Sequence, residues 1–144
     1  MNKEDLQKYY FETVLSNVTN YNNFNVYGHI DFITRYGGPN YRGLNFKENE
    51  DLIQEILKTL ISKNKGIEIN TSGFRYKEDR TYPSFEVLKK YVELGGEIIT
   101  IGSDAHIADY IGMDFDYAYD MLKSLGVKYI CSFKNREPIF QKIK

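Results

Sequence analysis

Hydrophobic residues along the chain recur with two periods that alternate from segment to segment. Leu6, Tyr10, Val14 and Val18 return every fourth residue, which predicts an opening helix with Asn2 as its cap. Asn25 to Phe32 predicts a first strand, followed by a polar loop from Tyr36 to Asn45 whose Gly37-Gly38-Pro39-Asn40 is turn chemistry. Leu52, Ile53, Ile56, Leu57, Leu60 and Ile61 share one helical face, with Asn49 as a candidate cap. Ile67 to Asn70 predicts a second strand, and Thr71 to Thr81 a charged loop. A helix with Pro83 in its first turn then turns Val87, Leu88, Tyr91 and Leu94 inward and stops at Gly95-Gly96. Ile98 to Ile101 predicts a third strand. Asp114 is placed to cap a helix that buries Phe115, Ala118, Leu122 and Leu125 and closes at Gly126. Val127 to Phe133 predicts a fourth strand, and a short helix around Pro138 to Ile143 ends the pattern.

A helix followed by four β–α units implies an α/β fold of about four parallel strands with flanking helices, in a single domain over residues 1–144. The 19 Lys and Arg residues nearly balance 20 Asp and Glu, so no basic stripe argues for nucleic acid. Cys131 is the one cysteine, which rules out an intrachain disulfide, and its place in Val127-Lys128-Tyr129-Ile130-Cys131 reads as a core thiol. The polar start Met1-Asn2-Lys3-Glu4-Asp5 does not match a signal peptide, and no apolar run reaches membrane length. A cytoplasmic protein with no membrane and no nucleic-acid partner is the expectation.

Candidate chemistry sits where the strands end. His29 lies in Gly28-His29-Ile30-Asp31, Glu68 in Gly66-Ile67-Glu68-Ile69-Asn70, and His106 in Gly102-Ser103-Asp104-Ala105-His106. Each segment carries two polar groups spaced i, i+2, which on a strand point to one face. Two imidazoles, three carboxylates and an amide converging on one mouth make up the donor inventory of a divalent-metal site. Isolated, Asp104-Ala105-His106 also reads as a capping Asp beside an exposed His, but the Ile-rich strand before it favours the ligand reading. Glu68 and Asn70 fit two readings equally: pocket residues, or the start of the turn Asn70-Thr71-Ser72-Gly73. Arg35 and Arg75 follow two of these pairs by a few residues, and two guanidinium forks beside a metal suit a phosphate. Tyr36 and Tyr41 lie near the same mouth without a feature that separates ligand contact from packing. Strand-end residues line the catalytic mouth of a β/α barrel, but a full barrel takes about 250 residues, so four units amount to roughly half of one.

On these residues the chain resembles the PHP family of metal-dependent phosphoesterases, and within it the histidinol-phosphatase type. The likeness is carried by Gly28-His29-Ile30-Asp31-Phe32-Ile33-Thr34-Arg35-Tyr36, Gly66-Ile67-Glu68-Ile69-Asn70-Thr71-Ser72-Gly73-Phe74-Arg75, Tyr82-Pro83-Ser84 and Ile101-Gly102-Ser103-Asp104-Ala105-His106, in that order. The resemblance implies the C-terminal half of a distorted seven-stranded TIM-like PHP barrel. It implies His29, Asp104 and His106 as ligands of divalent zinc, manganese or iron, with Asp104 and His106 at the catalytic centre. It implies Arg35 and Arg75 on the substrate phosphate, with Glu68, Asn70 and Asp31 as supporting pocket residues. The implied reaction is hydrolysis of L-histidinol phosphate to histidinol and phosphate, in histidine biosynthesis. In the family the N-terminal half supplies an H-x-H pair, further histidines and a glutamate ligand, and both histidines of this chain are already assigned. The expected partners are therefore a small phosphorylated substrate and either an N-terminal half-domain chain or a second copy of this one. The alternatives are a non-catalytic or complementing half-domain, or a PHP phosphoesterase for another phosphate ester.

Overall fold

Ile67 and Ile69 are fully buried, and the strand that carries them is the centre of the molecule. The computed structural model describes residues 1–144. It runs α1 (Lys3–Asn20), β1 (Val26–Tyr27), α2 (Phe46–Ser62), β2 (Gly66–Asn70), α3 (Phe85–Glu93), β3 (Ile99–Gly102), α4 (Phe115–Ser124), β4 (Tyr129–Lys134) and β5 (Glu137–Lys142). Three strands form a parallel sheet in the order β1-β2-β3, with Tyr27 opposite Ile67 and Asn70 opposite Gly102. Parallel neighbours need crossovers, which α2 and α3 provide. All three strands therefore point their C-terminal ends the same way, and the segments after Tyr27, Asn70 and Gly102 leave from one edge of the sheet.

The helices form where the apolar period predicts them. Asn2 caps α1 by accepting from the Asp5 amide at 2.8 Å. The inner face of α1 is Gln7, Phe11, Val14 and Val18, one residue around from the expected Leu6 and Tyr10. Gln7 is buried because it bridges the glycine-rich loop, donating to the Gly43 carbonyl at 2.9 Å and accepting from the Asn45 amide at 3.0 Å. The α2 face is Ile53, Ile56, Leu57 and Leu60, which meets α1 on one side and the sheet on the other. Asn45, not Asn49, begins α2; Asn49 lies one turn inside and donates back to the Asn45 carbonyl at 2.9 Å. Pro83 precedes α3 through a cis peptide with Tyr82, and Ser84 takes the cap position. Burial of each Ile or Leu in this cluster contributes roughly 1.5–3 kcal/mol. No helix is long and apolar enough to cross a membrane.

Three expectations are corrected. The first strand is only Val26–Tyr27, because the backbone turns at Gly28 and His29, whose φ is 31°, and enters a 3-10 turn over Phe32–Arg35. His29 and Asp31 are therefore not side by side on a strand face. The fourth strand is not parallel, and Pro138 to Ile143 is not helical. Instead β4 and β5 pair antiparallel through Asn135-Arg136, with Lys134 opposite Glu137. Both turn residues have positive φ, 51° and 67°, the geometry of a two-residue hairpin whose twist matches its strands. Pro138 sits on an outer strand, where a sheet tolerates proline. The parallel sheet thus has three strands rather than four.

Cys131 is buried on β4, and burial pushes its thiol up, which keeps it protonated and consistent with a core thiol. Gly66 is required by close approach: a Cβ there would lie 2.3 Å from the Ile98 carbonyl oxygen. The obstructing atom is backbone, so the sheet itself must shift. Gly66→Ala is expected to lower the unfolding free energy by about 2 kcal/mol, measured by urea denaturation; a change below about 0.5 kcal/mol would contradict the packing described.

Candidate active site

The C-terminal edge of the sheet gathers most of the polar residues singled out by the sequence. Glu68, near the end of β2, occupies its centre. Its Oε1 accepts from the His29 backbone amide at 3.2 Å and from Asn70 Nδ2 at 3.1 Å. Its Oε2 lies 2.6 Å from where a Cβ on Gly102 would be, and Oε1 lies 3.6 Å from one on Gly28. Gly102 is thus what makes room for the Glu68 carboxylate, whereas a Cβ at Gly28 would sit in ordinary contact with it. Asn70 satisfies both readings of its motif: its amide nitrogen meets Glu68, while its Oδ1 accepts from the Ser72 amide at 3.0 Å and starts the turn.

The segment after β3 supplies the second group. Asp104 has φ 51°, a left-handed conformation that Asp tolerates. Its Oδ1 is 3.4 Å from His106 Nε2, and its Oδ2 is 4.0 Å from Arg35 Nη2. Arg75, at the end of the turn after β2, donates to the carbonyls of Ser103 and, at 3.3 Å, of Asp104. Both arginines therefore converge on Asp104, one at its carboxylate and one at its backbone. Arg35 also donates to Ser72 Oγ at 2.7 Å and stacks 3.7 Å from the Tyr76 ring centroid. Arg75 stacks 4.7 Å from the Tyr110 ring centroid. Arg35 Nε and Arg75 Nη1 are buried without a hydrogen-bond partner. Arg80 Nε is buried without a partner as well; what sets Arg35 and Arg75 apart is that their hydrogen-bond partners are neutral, which leaves guanidinium charge for an anion.

The remaining candidates are placed less uniformly. His29 lies at the same edge, its ring 4.1 Å from that of Phe32, and reaches the cluster through its amide contact with Glu68. His106 is four-fifths exposed at its side chain. Tyr41 turns away from the mouth, its hydroxyl donating to the Met1 carbonyl at 2.9 Å, and Tyr36 is exposed. Asp31 does not face the mouth. It is completely buried, accepting from Arg80 Nη1 at 3.0 Å and from the Ser84 amide at 2.9 Å. Burial pushes its carboxyl above the ordinary range, against the opposing pull of Arg80. The sequence reading missed Arg80 because nothing in Glu78-Asp79-Arg80-Thr81 distinguishes it from a solvated charge run. The cis Tyr82–Pro83 bond that follows Thr81 lies in the same segment.

A family model described as the PHP domain matches residues 1–72, half of the chain. Histidinol-phosphatase of Lactococcus lactis is 35% identical over 131 residues, covering 91% of this chain and 48% of that protein. A probable histidinol-phosphatase of Thermotoga maritima is 36% identical over 107 residues, covering 74% of this chain and 43% of that protein. The crystal structure of the L. lactis histidinol phosphate phosphatase, complexed with zinc, L-histidinol and phosphate, superposes with a TM-score of 0.84 at 32% identity, over 96% of this chain and 52% of that one. The chain belongs to the PHP domain family. It spans about half the length of the curated relatives it matches.

The donor types of His29, Asp104 and His106 suit a divalent ion such as zinc. Their number and spacing within this chain do not complete a site, because no three His, Cys, Asp or Glu side chains come close enough together to hold an ion. Of the three, the structure brings together the side chains of Asp104 and His106, 3.4 Å apart, while the His29 ring packs on Phe32. Behind them, Asp31 anchors the whole loop. Asp31→Ala strips Arg80 of one carboxylate and the Ser84 amide of its acceptor, and is expected to lower unfolding free energy by about 3 kcal/mol in urea titrations. A loss under about 1 kcal/mol would show that Asp31 contributes no more than a surface ion pair.

Proposed function

We propose that this chain is the C-terminal half-barrel of a histidinol-phosphatase-type PHP phosphoesterase, which hydrolyses L-histidinol phosphate to histidinol and phosphate in the cytoplasm as a step of histidine biosynthesis. One observation carries the reading: two guanidinium groups whose hydrogen-bond partners are neutral converge on Asp104 at the strand ends, in a chain similar to a phosphatase solved with zinc, L-histidinol and phosphate.

In this reading Arg35 and Arg75 bind the phosphate oxygens and hold the phosphorus in place as charge builds on the transferring group. Glu68 and Asn70 line the same mouth and orient the remainder of the substrate, the Glu68 carboxylate favouring a cationic end. His29, Asp104 and His106 hold divalent metal, zinc, manganese or iron, with Asp104 and His106 as the catalytic pair. A bound divalent ion supplies Lewis-acid charge beside the phosphoryl oxygens. Because three ligands do not close a site here, the rest of the centre comes from outside these residues. An N-terminal half-domain, on another chain or on the same one, is the natural donor, and without it the open sheet edge favours self-association.

A second reading is a PHP phosphatase for a different phosphate ester. It is favoured by a probable phosphatase of Shewanella halifaxensis that is 29% identical over 96 residues.

The test combines the chain with a segment bearing the missing H-x-H ligands and follows phosphate release from L-histidinol phosphate and a panel of other esters, with zinc or manganese added. Histidinol phosphate is expected to lead the panel, and Arg35→Ala and Arg75→Ala are each expected to reduce kcat/KM about 100-fold. Unchanged rates in both variants would remove the phosphate role. Light scattering on the chain alone is expected to show association or poor stability. A stable monomer with full turnover would overturn the half-barrel reading.

A further inference from the structure

The most heavily connected side chain in the molecule is one that the proposed chemistry does not use. Arg80 is four-fifths buried at its side chain. Its Nη1 donates to Asp31 Oδ2 at 3.0 Å and to the Thr81 carbonyl at 2.9 Å. Its Nη2 donates to Thr34 Oγ1, and its Nε lies 3.3 Å from Glu78 Oε2. Thr34 in turn donates its hydroxyl proton to Glu78 Oε2 at 2.6 Å. Asp31, Thr34 and Glu78 are all but inaccessible to solvent.

These partners bracket one short element. Asp31 immediately precedes the 3-10 turn Phe32–Arg35, Thr34 lies within it, and Arg35 is its last residue. One backbone bond of this turn is long, the Thr34 amide lying 3.5 Å from the Asp31 carbonyl, while Phe32 to His29 and Tyr36 to Ile33 are 3.0 and 3.1 Å. A single 3-10 turn has poor hydrogen-bond geometry and does not fix its own orientation. Arg80 grips both ends. It also shares an aromatic wall with Arg35, since the Tyr82 ring centroid is 4.8 Å from the Arg80 guanidinium carbon and 5.2 Å from that of Arg35.

We infer that Arg80 is a positioning residue for Arg35: by clamping Asp31, Thr34 and Glu78 it fixes the turn from which Arg35 reaches Ser72 and the anion mouth. A planar fork is needed for this. A lysine ammonium is a point charge and cannot address Asp31, Thr34, Glu78 and the Thr81 carbonyl from one position. The inference rests on the reading of Arg35 as an anion-binding residue.

The test uses the chain combined with the segment bearing the missing H-x-H ligands, with inorganic phosphate as the probe, titrated by NMR well below the unfolding temperature. Two variants are compared, Arg80→Lys and Thr34→Val, the second keeping both carboxylate contacts of Arg80 while removing the bridging hydroxyl. Each is expected to weaken phosphate binding about fivefold in the native background and less than about twofold in an Arg35→Lys background. The Arg35 Nε–Hε resonance is expected to move in both, while amide resonances of α1 and α2 stay in place. An equal loss in the two backgrounds would mean that Arg80 only stabilises the fold, and would overturn the inference alone. So would unchanged affinity in both variants. Failure of the native chain, so combined, to bind phosphate at all would overturn the anion role of Arg35 and, with it, this inference.

Discussion

The parallel register of β2 between β1 and β3 is the constraint on which the rest depends. It rests on a close backbone contact, where Gly66 lets the Ile98 carbonyl approach β2, and on the burial of Ile67, Ile69 and Ile99. Because the strands run the same way, the residues after each one emerge at a single edge. Glu68 then reaches both neighbours: it meets the His29 amide across β1 and fills the space above Gly102 on β3. A one-residue slip would turn Glu68 into the core and Ile67 or Ile69 out to the mouth, so the apolar pattern and the site enforce the same register.

The arginines of this site divide by what they are given to bind. Arg80 sits between two carboxylates, Asp31 and Glu78, and its charge is absorbed by the protein. Arg35 and Arg75 are met by neutral acceptors, a serine hydroxyl and backbone carbonyls, and by aromatic faces. The nearest carboxylate to Arg35, on Asp104, stands 4.0 Å off. Neutral acceptors and aromatic rings orient a guanidinium without cancelling its charge, which leaves that charge available to a ligand. The difference lies in the partners, since the residue type is the same.

The two sides of the parallel sheet are finished differently. Beyond β3 the chain turns into the β4–β5 hairpin, which packs against that side and carries its own antiparallel pairing. On the other side β1 is only two residues long and pairs with β2 alone. A hollow of about 450 Å³ lined by Tyr21, Phe24, Val26, Tyr27 and His29 runs along this edge. Candidate metal ligands follow both outer strands, His29 after β1 and Asp104 and His106 after β3.

Much of this was legible in the sequence. The i, i+3, i+4 recurrence in α2, the cap at Asn2 and the glycine stop of α3 are local signals, set by side-chain spacing and backbone permissiveness, and they hold in the structure. The strand-end positions of Glu68, Asp104 and the two mouth arginines were also readable, because parallel strands place their exits together. Other features were decided only in three dimensions. Pro138 to Ile143 has no pattern that excludes a helix, and its strand form depends on the turn at Asn135-Arg136 and on β4 being there to pair with. The i, i+2 spacing of His29 and Asp31 matched that of Asp104 and His106, yet the chain turns at His29 and sends Asp31 inward to Arg80, a partner forty-nine positions away. A sequence records which charges exist. Which of them neutralise one another and which stay free for a ligand depends on distances that only the folded chain sets.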